Sequence, residues 1–199
     1  MALYFRCFTP LVVATCLVAT GSIFQACQTA EDLDELRSKA EQGNVVAQFN
    51  LGVAYANGQG VPQNDMEAVR WYRKAVEFHH AGAQNNLGLM YKNGDGVPQS
   101  DTEAVRWWRL AADQGNPEAL FSLALMYRNG EGVVQSDVRA YAWGNVAASR
   151  SDGQAKENAA KFRDAAAAGL TPEQRAEGQR MALEWDAAHP LRRVSRVTR

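Results

Sequence analysis

Few residues of this 199-residue chain have the types and spacing that chemistry needs. Gly58-Gln-Gly60-Val-Pro-Gln63 carries the first two glycines of a dinucleotide-binding loop, whose bare backbone would approach a pyrophosphate. Gln63 stands where the third glycine belongs, and the stretch joins two helical patterns instead of following a strand, so it reads as a turn. His79 and His80 are adjacent and cannot turn both rings to one face of a helix, and no cysteine or carboxylate lies at ligand spacing. They read as residues at a helix C-terminus, where the dipole favours an imidazolium, and not as a metal site. Ser100 and Ser136 have no base that would make them nucleophiles, and each opens a helical pattern as an N-cap. The reading is therefore of a non-enzyme with no catalytic residue, no metal and no cofactor.

Composition narrows the partners. The chain is 46% hydrophobic and 22% charged, the balance of a globular protein of one or two domains, and its formal charge of −1 lacks the concentrated positive field that phosphate binding requires. A nucleic-acid partner is not expected.

The N-terminal segment is set aside before the fold is considered. One arginine, Arg6, precedes the uncharged apolar stretch 8–24, and the acidic run Glu31, Asp32, Asp34 and Glu35 follows in place of a basic stop-transfer cluster. This is the pattern of an export signal over 1–26. Of the three cysteines only Cys27 follows the apolar stretch, so no internal disulfide can form after cleavage. Phe24-Gln25-Ala26-Cys27 resembles a bacterial lipobox, which implies lipidation at Cys27. Ordinary cleavage after Ala26 or Ala30 is the alternative. The expected location is the periplasm, with the membrane reached only through that N-terminal anchor.

Beyond residue 46 the chain repeats itself. AQFNLGVAY (47–55) returns as AQNNLGLMY (83–91) and ALFSLALMY (119–127), a period of 36 residues, and copies one and two agree at 20 of 36 positions. Chance does not produce this. Gly58-Gln-Gly60 returns as Gly94-Asp-Gly96 and Gly130-Glu-Gly132, while Asp65, Ala68, Trp71 and Ala75 return as Asp101, Ala104, Trp107 and Ala111. Within each unit Ala47, Leu51 and Tyr55, then Ala68, Trp71, Tyr72 and Ala75, recur at helical spacing, which predicts two helices joined by a glycine loop. Asn57-Gly58 stops the first. Asn64, Ser100 and Ser136 start the second, with Glu67 and Glu103 at capping-box positions and Asp65, Asp101 and Asp137 in the first turn.

These motifs, LGxxY, then GxGV, then DxxxAxxWxxxA, resemble the Sel1-like repeat family, relatives of the tetratricopeptide repeats. The resemblance implies an all-α short solenoid of antiparallel helix pairs: a half-repeat helix at 31–46, full units at 47–82, 83–118 and 119–154, capping helices at 155–188 and a basic tail at 189–199. The half-repeat is visible because Ala40-Glu-Gln-Gly-Asn44 mirrors Ala112-Asp-Gln-Gly-Asn116. The third unit departs from the pattern at Ala124, Val134 and Gly144. In the cap, Gly169 ends one helix and Thr171-Pro172-Glu173-Gln174 opens the next with a capping box.

What is left for function is a surface. Arg70, Arg73, Arg106 and Arg109 form a basic edge on the second helices, but Glu67 and Glu103 lie three residues before Arg70 and Arg106, so local ion pairing accounts for it. Opposite the core stripe, the first helices carry Phe49, Val53 and Ala56; Asn85, Leu89 and Lys92; and Phe121, Leu125 and Arg128. In related repeats that face lines a concave groove, and the resemblance implies protein or peptide binding there. Its alternative is packing against neighbouring helices. Lys92 and Arg128, ill suited to burial, mark a weakly basic rim and suggest an acidic segment as the guest. The leading expectation is an exported scaffold that binds a protein or peptide of the cell envelope. Two other readings are an enzyme acting on cell-wall or β-lactam-like substrates, for which no nucleophile is identified, and a structural part of an envelope assembly.

Overall fold

The computed structural model describes residues 32–190. The export segment, Cys27 and the tail beyond Pro190 lie outside the described residues. Nine helices and no strand occur among them: α1 (32–41), α2 (Val45–Asn57), α3 (Asp65–Val76), α4 (Ala81–Asn93), α5 (Asp101–Ala112), α6 (Pro117–Asn129), α7 (Asp137–Arg150), α8 (Gly153–Ala167) and α9 (Pro172–Ala188). Helices α2/α3, α4/α5 and α6/α7 are the three pairs, and each second helix also packs on the first helix of the next pair.

Each boundary has a local cause. The first helices end at Gly58, Gly94 and Gly130, all left-handed, with φ of 67°, 82° and 74°. Asn64, Ser100 and Ser136 accept the backbone N–H of the third residue of α3, α5 and α7, as the sequence predicts. The reciprocal half of the capping box is missing there, because Glu67 and Glu103 turn to Arg70 and Arg106 at 3.1 and 3.0 Å. Among the described residues, Thr171 and Gln174 at the start of α9 complete a box.

The first helices begin at Val45, Ala81 and Pro117, two residues ahead of the repeated alanine. Their caps are Asn44, His80 and Asn116. The two histidines separate: His79 lies in the turn that closes the C-terminus of α3, its N–H donating to the Val76 carbonyl at 2.9 Å, whereas His80 caps the start of α4 through Nδ1, which accepts from the Ala83 N–H at 3.1 Å.

The core is built largely from the expected stripe: Ala47, Leu51, Ala68, Trp71, Tyr72, Ala75, Leu87, Ala104 and Leu123 are buried, joined by Leu120, while Tyr55 is half-buried. In the second unit, however, the buried indole is Trp108, with Trp107 only half-buried. Trp108 lies across Gly88, as Tyr72 lies across Gly52; a Cβ at either glycine would stand 2.6 Å from the ring. In the third unit both partners change together. Ala124 occupies the glycine position, and Gly144 replaces the ring that would have struck it. The space beside Gly144 is taken by Phe162 and Arg163 of α8.

The second glycine of each loop has its own reason. A Cβ at Gly96 would sit 2.5 Å from the Asp65 carbonyl oxygen, and one at Gly132 2.4 Å from that of Asp101. The loops at Gly96 and Gly132 therefore lie directly on the backbone that opens the preceding second helix, whereas Gly60 of the first loop faces the Leu33 side chain of α1. A further link recurs with the period: Arg37, Arg73 and Arg109 donate to the hydroxyls of Tyr55, Tyr91 and Tyr127 at 3.3, 3.0 and 2.8 Å. Two of the four arginines of the basic edge are thus used to join units, and the other two pair with glutamates.

Candidate binding face

The positions that the sequence assigns to the binding face separate into three rows. Phe49, Asn85 and Phe121 form the inner row and are half-buried. Phe49 stacks on His80 with centroids 4.5 Å apart and lies 6.0 Å from Tyr72. Asn85 presents its backbone carbonyl to Trp108 Nε1 at 3.2 Å, and Phe121 meets the edge of Phe162 at 5.5 Å. This row packs between units, which is the alternative that the sequence left open.

The middle row opens outward. Val53 is half-buried, while Leu89 is 50% and Leu125 39% exposed. Between the first two units, Val53, Ala56, Tyr72, Leu89 and Met90 wall a cleft of about 370 Å³ whose polar lining includes Asp65, Asn86 and Asp95. That volume is at the small end of ligand-sized clefts. Asn86 donates to the Tyr72 hydroxyl at 3.0 Å, and burial raises the Tyr72 phenol above its ordinary value, so it stays protonated.

The outer row differs from the expected basic rim. Lys92 Nζ donates to Glu131 at 2.6 Å and to Asp101 at 3.0 Å, with its side chain only 28% exposed. Burial works against its charge, but the hydrogen bonds and ion pairs to Glu131 and Asp101 outweigh it and hold the ammonium above the ordinary lysine value. Lys92 is therefore a neutralised tie between units. Arg128 lies over the Phe162 ring at 5.9 Å and forms no ion pair among the described residues.

The hydroxyls of Ser100 and Ser136 are engaged in capping. Among the described residues no cluster of His, Cys, Asp or Glu is placed to hold a metal ion, and no helix is long and apolar enough to cross a membrane. Two features escaped the sequence reading. One is the tie between Lys92 and Glu131, which joins residues 39 apart. The other is the acidic lining of the first cleft, where Asp65 of one unit and Asp95 of the next come to the same seam.

The model of the Sel1 repeat matches residues 45–77, 81–116 and 117–152, units that start where α2, α4 and α6 start. The chain belongs to the Sel1 repeat family. A Sel1 repeat protein from Oxalobacter formigenes is similar at 41% identity and a TM-score of 0.57, over 65% of this chain and 98% of that one. A protective antigen present in uropathogenic Escherichia coli strains, displaying an SLR fold, is similar at 26% identity and a TM-score of 0.60, over 79% of this chain and 41% of that one. The Sel1 chain thus spans less than half of the antigen's length. No curated protein matches it. Proteins built from Sel1 repeats generally serve as protein-interaction scaffolds, typically without enzymatic activity.

Proposed function

We propose that this Sel1 repeat protein is an exported scaffold that holds an extended segment of another cell-envelope protein on the face of its first helices. The cleft lined by Val53 and Leu89 carries the reading, because it combines apolar walls with polar side chains at the seam of two units. Leu125 extends the same row along the third unit. A bound segment would seat apolar side chains on that row and polar ones toward the loops. Export rests on the N-terminal pattern, and Cys27 supplies a tether when lipidated.

Photocrosslinking residues placed singly at Leu89 and Leu125 should give adducts with the same protein in living cells, and Leu89→Asp with Leu125→Asp should abolish them without shifting the melting temperature. Adducts from Leu183 of α9 alone would move the interaction to the cap. Replacing Cys27 with Ser should release the protein from membranes. A wild-type protein that is already soluble and takes up no labelled fatty acid would remove the tether and leave the binding face untouched.

A further inference from the structure

The three units carry the same frame around each seam but fill it differently. At the seam of units two and three, the loop at Gly132 lies on the backbone of Asp101, which brings Glu131 beside Asp101. Between these two carboxylates sits the ammonium of Lys92. The seam of units one and two has the same close loop, with Gly96 on Asp65. Its residues correspond one for one at the period of 36: Asp65 for Asp101, Asp95 for Glu131, and Ala56 where Lys92 would be. The frame that binds a cation is present, and the lysine is replaced by a methyl group.

What takes the lysine's place is the cleft, whose lining includes Ala56, Asp65 and Asp95. Among the described residues the Asp65 carboxylate accepts from the Gln63 side chain at 3.4 Å and the Asp95 carboxylate from the Asn93 side chain at 3.0 Å, both neutral amides. No cation lies within salt-bridge distance of either carboxylate among the described residues. Asp95 is one methylene shorter than Glu131. Tyr72 and Asn86 add polar groups at the floor, and Val53, Leu89 and Met90 supply an apolar wall against which an aliphatic stem can lie.

We infer that this cleft receives a lysine or arginine side chain from the segment bound along the face, its charge between Asp65 and Asp95 and its stem against Val53 and Leu89, as Lys92 occupies the next seam. The inference rests on the binding reading of that face and reverses the charge of the guest: the partner segment is basic at this position. Charge-assisted hydrogen bonds to two carboxylates would give the contact its direction and selectivity.

The probe is a fluorescein-labelled peptide of alternating alanine and leucine with one central lysine, titrated against the full-length chain beside peptides with arginine or norleucine at that place. The cationic peptides should bind about tenfold tighter than the norleucine peptide, with the advantage shrinking in salt. Asp65→Asn with Asp95→Asn should erase the difference. Ala56→Lys should erase it as well while raising the melting temperature by about 2 °C, because the new ammonium closes the site from within.

Equal binding of lysine and norleucine peptides to the wild type would overturn the inference and leave the face reading intact, since an apolar segment would still be held. Binding of all three peptides that survives Leu89→Asp would instead overturn the face reading. A calcium-dependent rise in melting temperature that needs Asp65 and Asp95, without peptide discrimination, would make the pair a metal site and refute the proposal. So would acetyl-lysine methylamide binding as tightly as the lysine peptide, which would make the occupant a free small cation.

Discussion

At the turn between α3 and α4, His79 and His80 stand where the other units have Gly43-Asn44 and Gly115-Asn116. Gly43 and Gly115 have φ of 88° and 80°, and His79 is forced to 58°, the only non-glycine residue with positive φ among those described. A side chain there costs about 1–2 kcal/mol, so His79→Gly should stabilise the protein by roughly 1 kcal/mol once glycine's greater chain entropy is deducted. His80 does the work of Asn44 and Asn116, but its Nδ1 accepts the Ala83 N–H only while the ring is neutral. Burial lowers its pKa below the ordinary value of 6.5. The unfolded chain therefore takes up the proton first, and the stability that the cap supplies is complete above about pH 6.5 and is lost as pH falls toward the folded value. Melting temperatures recorded from pH 7.5 to 5 should show that loss in the wild type and less of it in His80→Asn. Identical pH slopes would mean that the imidazole is not the cap.

The helix pairs show what could be read in advance and what could not. Periodicity and caps were legible because they are local: the stripe of Ala47 and Leu51 in α2, that of Ala68, Trp71 and Ala75 in α3, the Asn64 and Ser100 caps and the Thr171 box each lie within one helix or its entry turn. The Lys92 tie and the Arg–Tyr links were not, because their partners lie in the next unit, and a sequence period reveals which positions recur but not which of them touch. Trp107 and Trp108 illustrate the same limit, since neighbouring aromatic residues both suit the helix and only the ring above Gly88 is enclosed. The compensation between Ala124 and Gly144 turns that contact into a prediction. Gly88→Ala gains helix propensity but drives a methyl into the Trp108 ring, with a net loss of about 1–2 kcal/mol. Trp108→Gly costs more through its cavity. Denaturant titrations of the double variant should show less destabilisation than the sum of the two, because the clash disappears with the ring. Strict additivity would separate the two sites energetically.

Over the whole molecule, a solenoid is held by contacts between neighbours, so its last unit needs a cover. Here the cover is not a fourth copy. Both α8 and α9 pack on α7, with Phe162 against Gly144 and Gly178 pressed on Tyr141, where a Cβ would stand 2.7 Å from the ring. Polar contacts fasten it: Gln179 donates to the Tyr141 hydroxyl at 3.2 Å, and, as the main clamp, the Arg150 side chain, 7% exposed, bonds Asp186 at 2.7 Å and the His189 carbonyl at 2.6 Å, with its guanidinium 5.1 Å from the Trp185 centroid. Removing Asp186 leaves a guanidinium nearly out of water with half its partners gone, and Asp186→Ala should cost about 1–3 kcal/mol. Arg150→Met in the same chain removes the stranded charge while keeping an apolar stem against Trp185, so the double variant should regain much of that loss. If the clamp also sets the stability of the repeats, Asp186→Ala should lower one cooperative transition followed by circular dichroism. A separate early transition, with Trp108 fluorescence unchanged until the main one, would show a cap that loosens alone while the face at Leu89 and Leu125 stays folded.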